Sequence, residues 1–83
     1  MTAQARLLGG RYQVGELLGY GGMAEVHKGR DLRLGRDVAI KMLRTDLARD
    51  ATFQERFRRE AQRDDRVARL AEPGTAHIVG ERA

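Results

Sequence analysis

The sequence predicts an α+β domain: a three-stranded, antiparallel, twisted sheet with one main helix packed on it. Three observations carry this. Between residues 11 and 43, apolar and polar residues alternate with a period of two, in short stretches punctuated by glycine. From Thr52 onward the apolar spacing changes to three and four, which is helical. The chain has only 83 residues, room for one small domain.

The first strand is expected over Arg11 to Leu18, with Tyr12 and Val14 alternating against Arg11, Gln13 and Gly15. It runs into Gly19-Tyr20-Gly21-Gly22, where three glycines in four positions call for a turn. Ala24, Val26 and Lys28 alternate with Glu25 and His27 in a second strand, and Gly29 and Asp31 begin its exit. The third strand, Asp37 to Leu43, is the clearest. Val38, Ile40 and Met42 fall on one face, and Ala39, Lys41 and Leu43 on the other. A lysine sharing a mid-strand face with Ala and Leu asks for an explanation.

Residues 46–71 read as helical, with a short turn over Arg44 to Asp50 before the main helix begins. Thr52-Phe53-Gln54-Glu55 fits a capping box, a hydroxyl followed three residues later by a carboxylate. Phe53, Phe57, Glu60 and Ala61 share a face, while Arg56, Arg59 and Arg63 point elsewhere. Glu60 thus stands on the apolar stripe. A carboxylate buried there needs a partner, because a lone buried charge is costly.

Three regions follow from these patterns: a flexible leader over 1–10, the patterned segment 11–62, and a divergent charged tail over 63–83. No apolar run approaches the roughly 20 residues of a membrane-spanning helix, and no secretory signal is present, so a cytoplasmic location is expected. With no cysteine and two distant histidines, His27 and His77, no metal site is expected. Of the 16 basic residues 14 are arginine, and they are interleaved with acids, as in Arg63-Asp64-Asp65-Arg66. That pattern reads as a solvated, salt-bridged face rather than a nucleic-acid surface, so no nucleic-acid partner is expected.

Alone, Gly19-Tyr20-Gly21 is a weak signal. A dinucleotide-binding turn leads directly into a helix, whereas this one leads into a strand, and no P-loop lysine follows the glycines. A glycine turn joining two antiparallel strands is the remaining phosphate-cradling design, since backbone N–H groups approach phosphates closely where no side chains intervene.

Three segments resemble those of protein kinases. Leu18-Gly19-Tyr20-Gly21-Gly22-Met23-Ala24-Glu25-Val26 is similar to the glycine-rich loop. Val38-Ala39-Ile40-Lys41 is similar to the strand that delivers the phosphate-binding lysine, and Phe57-Arg58-Arg59-Glu60-Ala61 to the helix carrying its glutamate partner. The stretch Asp31 to Gln62 looks most like bacterial eukaryotic-like (Hanks-type) serine/threonine kinases. Among these it most resembles the actinobacterial receptor kinases with extracellular cell-wall-sensing repeats.

The resemblance covers about residues 11–62 and implies an incomplete N-terminal lobe that binds ATP. It implies that Lys41 contacts the phosphates, that Glu60 holds Lys41, and that Leu18, Val26 and Ala39 wall the adenine. A second kinase N-lobe, in a homo- or hetero-dimer, is the protein partner it implies. Two departures stand out: Ala24 replaces the third glycine, and Met23 stands at the loop tip, where the family often has an aromatic.

No catalytic residue is assigned. His-Arg-Asp, Asp-Phe-Gly and Ala-Pro-Glu do not occur, so the ligands of the family's Mg²⁺ are not in this sequence, and the chain alone is expected not to catalyse. After Gln62 the sequence departs from the family's continuation, with only His77-Ile78-Val79 echoing it. That departure reads as a frameshift near residue 63, in a pseudogene or by sequencing error. A short protein with a divergent tail, acting as a non-enzymatic module docked on a full-length kinase, is the competing reading.

Overall fold

The computed structural model describes residues 7–63, 69–72 and 75–81. One antiparallel sheet runs through it in the order β1-β2-β3-β4-β6-β5. The strands are β1 (Leu7–Leu8), β2 (Tyr12–Gly21), β3 (Ala24–Asp31), β4 (Arg36–Leu43), β5 (Arg69–Glu72) and β6 (Ala76–Glu81). Helix α1 (Ala51–Arg63) lies between β4 and β5 in the chain. The α+β class and the three expected strands are present, as β2, β3 and β4. The count of three is corrected to six among the described residues.

Both ends of the chain supply the extra strands. Within the expected leader, Leu7 pairs with Gln13, Leu8 pairs with Tyr12, and Leu8 is fully buried. Gly9 and Gly10 both take positive φ, which lets the chain reverse there and return as β2. In the expected tail, β6 pairs with β4 from Met42↔Ala76 to Val38↔Glu81, and β5 pairs with β6. Ala76 and Ile78 are buried beside their β4 partners Met42 and Ile40, in the cluster that forms on the Val38 face of that strand.

The alternation in β4 sorts the core into two clusters. Val38, Ile40 and Met42 join Leu8, Tyr12, Ala76 and Ile78 on one face. Leu43 joins Ala24 and Phe57 on the other, with Met23, Leu47 and Phe53 packed at its margin. Gly29 belongs to the first face for a steric reason. A Cβ built there would run into the Ile40 side chain and lie 3.1 Å from the Gln13 carbonyl oxygen.

Helix α1 starts one residue before the expected cap. Asp50, not Thr52, is the N-cap: its Oδ1 accepts from the N–H of Thr52 at 2.8 Å and of Phe53 at 3.3 Å. Aspartate competes better than threonine for that position, and its placement one residue before Ala51 lets it reach the second and third helical N–H groups. Residues 45–49 form turns with i→i+3 bonds rather than continuous helix. The helix is described to Arg63; the expected continuation toward residue 71 meets β5 from Arg69, and residues 64–68 lie outside the described residues.

Asp31 ties one end of the sheet together. Its fully buried carboxylate accepts two bonds from Arg11, at 2.9 and 2.8 Å, and two more from the N–H groups of Arg33 and Leu34. One side chain thereby links the β1–β2 turn, the end of β3 and the β3–β4 turn. The Arg11 guanidinium, and then the two backbone donors, hold the carboxyl far below the usual carboxylate range against the opposing effect of burial.

A folded-state pKa below the unfolded value stabilises the fold above the unfolded pKa of about 3.9 and loses that contribution as pH falls through the folded one. Asp31→Asn should therefore destabilise the chain at pH 7 and remove part of the stability loss between about pH 4 and pH 2, read by urea unfolding at each pH. Gly29→Ala should cost about 1–3 kcal/mol by overpacking against Ile40, measured by the urea midpoint at neutral pH.

Candidate functional site

Cross-strand neighbours share a sheet face, so the pairings define which residues meet. One row runs Gly19↔Val26, Val26↔Lys41 and Lys41↔His77, from β2 across to β6. The next runs Gly21↔Ala24 and Ala24↔Leu43. These rows lie on the α1 side of the sheet, and they account for the lysine in a mid-strand apolar pattern. Lys41 points from the sheet toward the helix, where its Nζ donates to Glu60 Oε1 at 2.8 Å.

Phe57 fixes that meeting. It is fully buried against Ala24 and Leu43, and its ring stacks on His77 with centroids 4.1 Å apart and planes 11° apart. Glu60 follows Phe57 by three residues, so seating the phenylalanine brings the carboxylate over Lys41. The expectation of a buried carboxylate is corrected. The Glu60 side chain is 49% exposed and Lys41 20%, so the pair closes one side of an open cleft rather than sitting in the core.

The cleft has a volume of about 740 Å³. The expected residues Tyr20, Gly21, Gly22, Met23, Ala24, Val26, Lys41 and Glu60 all line it. Leu18, Gly19 and Ala39 do not. Leu18 is 59% exposed on β2, beside the register shift between Leu17 and Gly19. Gly19 sits behind the lining in the Val26 row, and Ala39 pairs with Lys28 and Gly80 one step further along β4. Phe53, Arg56 and Val79 line the cleft and were not expected. Phe53 was legible as a member of the Phe57–Glu60 stripe, whereas Val79 arrives through β6 and a register shift opposite Ala39/Ile40 that no sequence pattern announces.

The glycines of the turn have different reasons. Gly22 and Met23 form a two-residue hairpin loop between the paired Gly21 and Ala24, and Gly22 has φ 55°. Positive φ at the first loop position only is the type II′ pattern, which favours glycine. At Gly19 and Gly21 a Cβ would meet nothing within 4 Å, so the fold itself leaves room for a side chain there. With no side chain, Gly21 leaves bare backbone along the cleft. Ala24, in place of a third glycine, is buried against Leu43 and Phe57, and Met23 leans on the same cluster. The loop tip is therefore anchored to the helix side.

Among the described residues no group of three His, Cys, Asp or Glu side chains is placed to hold a metal ion. The cleft's one carboxylate, Glu60, is engaged by Lys41. The described side chains thus do not form a Mg²⁺ site. No helix among them is long and apolar enough to cross a membrane.

A twisted antiparallel sheet with one helix, a glycine hairpin and a lysine–glutamate pair facing an open cleft is the architecture of a kinase N-terminal lobe. The curated relatives agree. The chain is 66% identical over 59 residues to the probable serine/threonine-protein kinase SCO3848 of Streptomyces coelicolor, covering 71% of this chain and 9% of that protein. It is 69% identical over 55 residues to the serine/threonine-protein kinase PknB of Mycobacterium tuberculosis, covering 66% and 9%. It is 56% identical over 72 residues to the probable serine/threonine-protein kinase PknB of Bifidobacterium longum, covering 87% and 10%. No protein-family model matches the chain.

The chain thus has the sequence and fold of a Hanks-type serine/threonine kinase N-lobe, and spans about a tenth of the length of the relatives it matches. The alignment with the Bifidobacterium longum protein spans more residues than lie before Arg63, so the similarity continues past Gln62.

Two substitutions separate seat from pair. Phe57→Ala should cost roughly 3 kcal/mol or more and abolish the cooperative thermal transition of so small a domain, followed by circular dichroism. Glu60→Gln should change stability by less than about 1 kcal/mol, because its side chain is half exposed.

Proposed function

We propose that this chain grips the phosphates of ATP as the nucleotide-binding part of a protein serine/threonine kinase, and that by itself it transfers no phosphate. The observation that carries the reading is the Lys41–Glu60 pair at 2.8 Å beside a strand left bare by Gly19 and Gly21. Lys41 neutralises the α- and β-phosphates, Glu60 holds the lysine in reach, and the backbone N–H groups of Gly19 to Ala24 cradle the phosphates. Leu18, Val26 and Ala39 supply the apolar wall for the adenine in this reading; of the three, Val26 lines the cleft.

In a whole kinase the γ-phosphate passes to a protein serine or threonine hydroxyl, with Mg²⁺ and an aspartate supplied by segments that this sequence does not contain. The patterned segment 11–62 carries the clamp. The β5–β6 pair within 63–83 continues the same sheet, which favours a working lobe over a frameshifted remainder. A cytoplasmic location fits such a lobe.

A second reading is a docking module. Leu32 and Leu34, at the β3–β4 turn, are 51% and 54% exposed and stand on the rim of the sheet away from the α1 cluster. A second kinase N-lobe is the partner this reading names.

Calorimetric titration of the chain with ATP separates the two. Lys41→Met should weaken ATP binding about 10- to 100-fold, as expected for losing a charge-assisted contact. Binding of an intact kinase that ignores Lys41→Met but is lost in Leu34→Asp would favour docking instead. Phosphotransfer to a generic protein substrate should be undetectable, and activity abolished by Lys41→Met would overturn the non-catalytic assignment.

A further inference from the structure

The clamp leaves one charged residue of the cleft without a task. Arg56 lies three residues after Phe53 and four before Glu60, so the three follow one flank of α1, and all three line the cleft together with Gly21 and Gly22. The sequence pattern had turned Arg56 away with Arg59 and Arg63; the structure separates it from them. Arg58 and Arg59 both reach Glu55, at 3.9 and 3.4 Å. Among the described residues no carboxylate lies within ion-pair distance of Arg56, whose guanidinium stands over the Phe53 ring, 5.6 Å from its centroid.

Two cations from different elements therefore face one cleft: Lys41 from the sheet, held by Glu60, and Arg56 from the helix, backed by an aromatic ring. A third side is glycine backbone. A lysine is a point charge suited to oxygens shared between neighbouring phosphates, whereas a planar guanidinium fork matches two oxygens of a terminal phosphate.

We propose that Arg56 binds the outermost phosphate of a nucleoside triphosphate whose inner phosphates are held by Lys41 and the glycine hairpin, so that this chain distinguishes ATP from ADP. The proposal rests on the nucleotide-clamp reading and adds to it a residue and a specificity. The cleft sets the geometry: Gly22 and Met23 at the hairpin tip, Lys41 on β4 beside Val26 of β3, and Arg56 on α1 all line the same opening.

The test is calorimetric titration of the chain at low salt with ATP, with ADP and with inorganic phosphate. The wild type should bind ATP about tenfold more tightly than ADP, the scale of one charge-assisted contact. Arg56→Gln should bring ATP down to the level of ADP and leave ADP within about twofold. Arg56→Lys should keep part of the preference, and Arg58→Gln, outside the cleft, all of it.

Equal wild-type affinities, an equal loss for both nucleotides in Arg56→Gln, or the same effect in Arg58→Gln would overturn the assignment while leaving the clamp standing. Heat from inorganic phosphate that depends on Arg56 would overturn it in favour of a free-phosphate site. Absence of binding by either nucleotide would overturn the clamp and this inference together.

Discussion

Phe57 occupies the position on which the rest of this small structure depends. Its ring fills the space between Ala24 on β3 and Leu43 on β4 and stacks on His77 of β6, so one side chain touches three strands. In a domain with a single described helix, that seat fixes both the height and the rotation of α1 over the sheet. Glu60 follows by three residues and Phe53 precedes by four, so the ion pair with Lys41 and the mouth of the cleft are consequences of the same placement. The pair itself contributes little to holding the helix, since a half-exposed salt bridge is worth at most about 1 kcal/mol. Packing positions the charges, and the charges are then available for a ligand.

The sheet shows a comparable division. β4 carries apolar residues on both faces, and each face joins a different cluster: Leu8, Tyr12 and Ile78 on one, Phe57 and Ala24 on the other. Asp31 secures the end remote from the cleft by joining two turns and the Arg11 side chain. The glycine hairpin at the other end has no such knot, and its residues Tyr20, Gly21 and Gly22 are exposed. The buried Asp31 knot and the exposed glycine hairpin thus lie at opposite ends of β2 and β3, with Ala24 and Met23 tying the hairpin to the α1 cluster.

Much of this was legible in the residues. The period of two in Asp37 to Leu43 named both faces of β4, and the spacing from Phe53 to Glu60 named the helix face that meets it. What escaped was non-local. Leu7 and Leu8 look like part of a loose leader because a two-residue strand has no period to detect, and only pairing with Tyr12 and Gln13 gives them a place. The strands β5 and β6 are short and interrupted by Pro73-Gly74, and the charged neighbours of Val67 and Leu70 suggested a helix or no structure. Asp50 outcompeted Thr52 as the helix cap because the better acceptor stood where it could reach two N–H groups. In the site, Lys41, Glu60 and the glycines carried a recognisable pattern, while Val79 and Arg56 depended on how β6 and α1 are laid against the sheet.

The proposed clamp requires the bare glycine strand and Lys41 to form one phosphate-binding surface. Amide chemical-shift mapping of the isotopically labelled chain during titration with ATP addresses it most directly, because it reports every residue of the hairpin at once. The largest shifts are expected at Gly19, Gly21, Gly22 and Lys41, with the fully buried residues of the opposite face, such as Leu8 and Ile40, unmoved. Shifts confined to the arginine-rich outer surface of α1, or none at the glycines at saturating ATP, would contradict it.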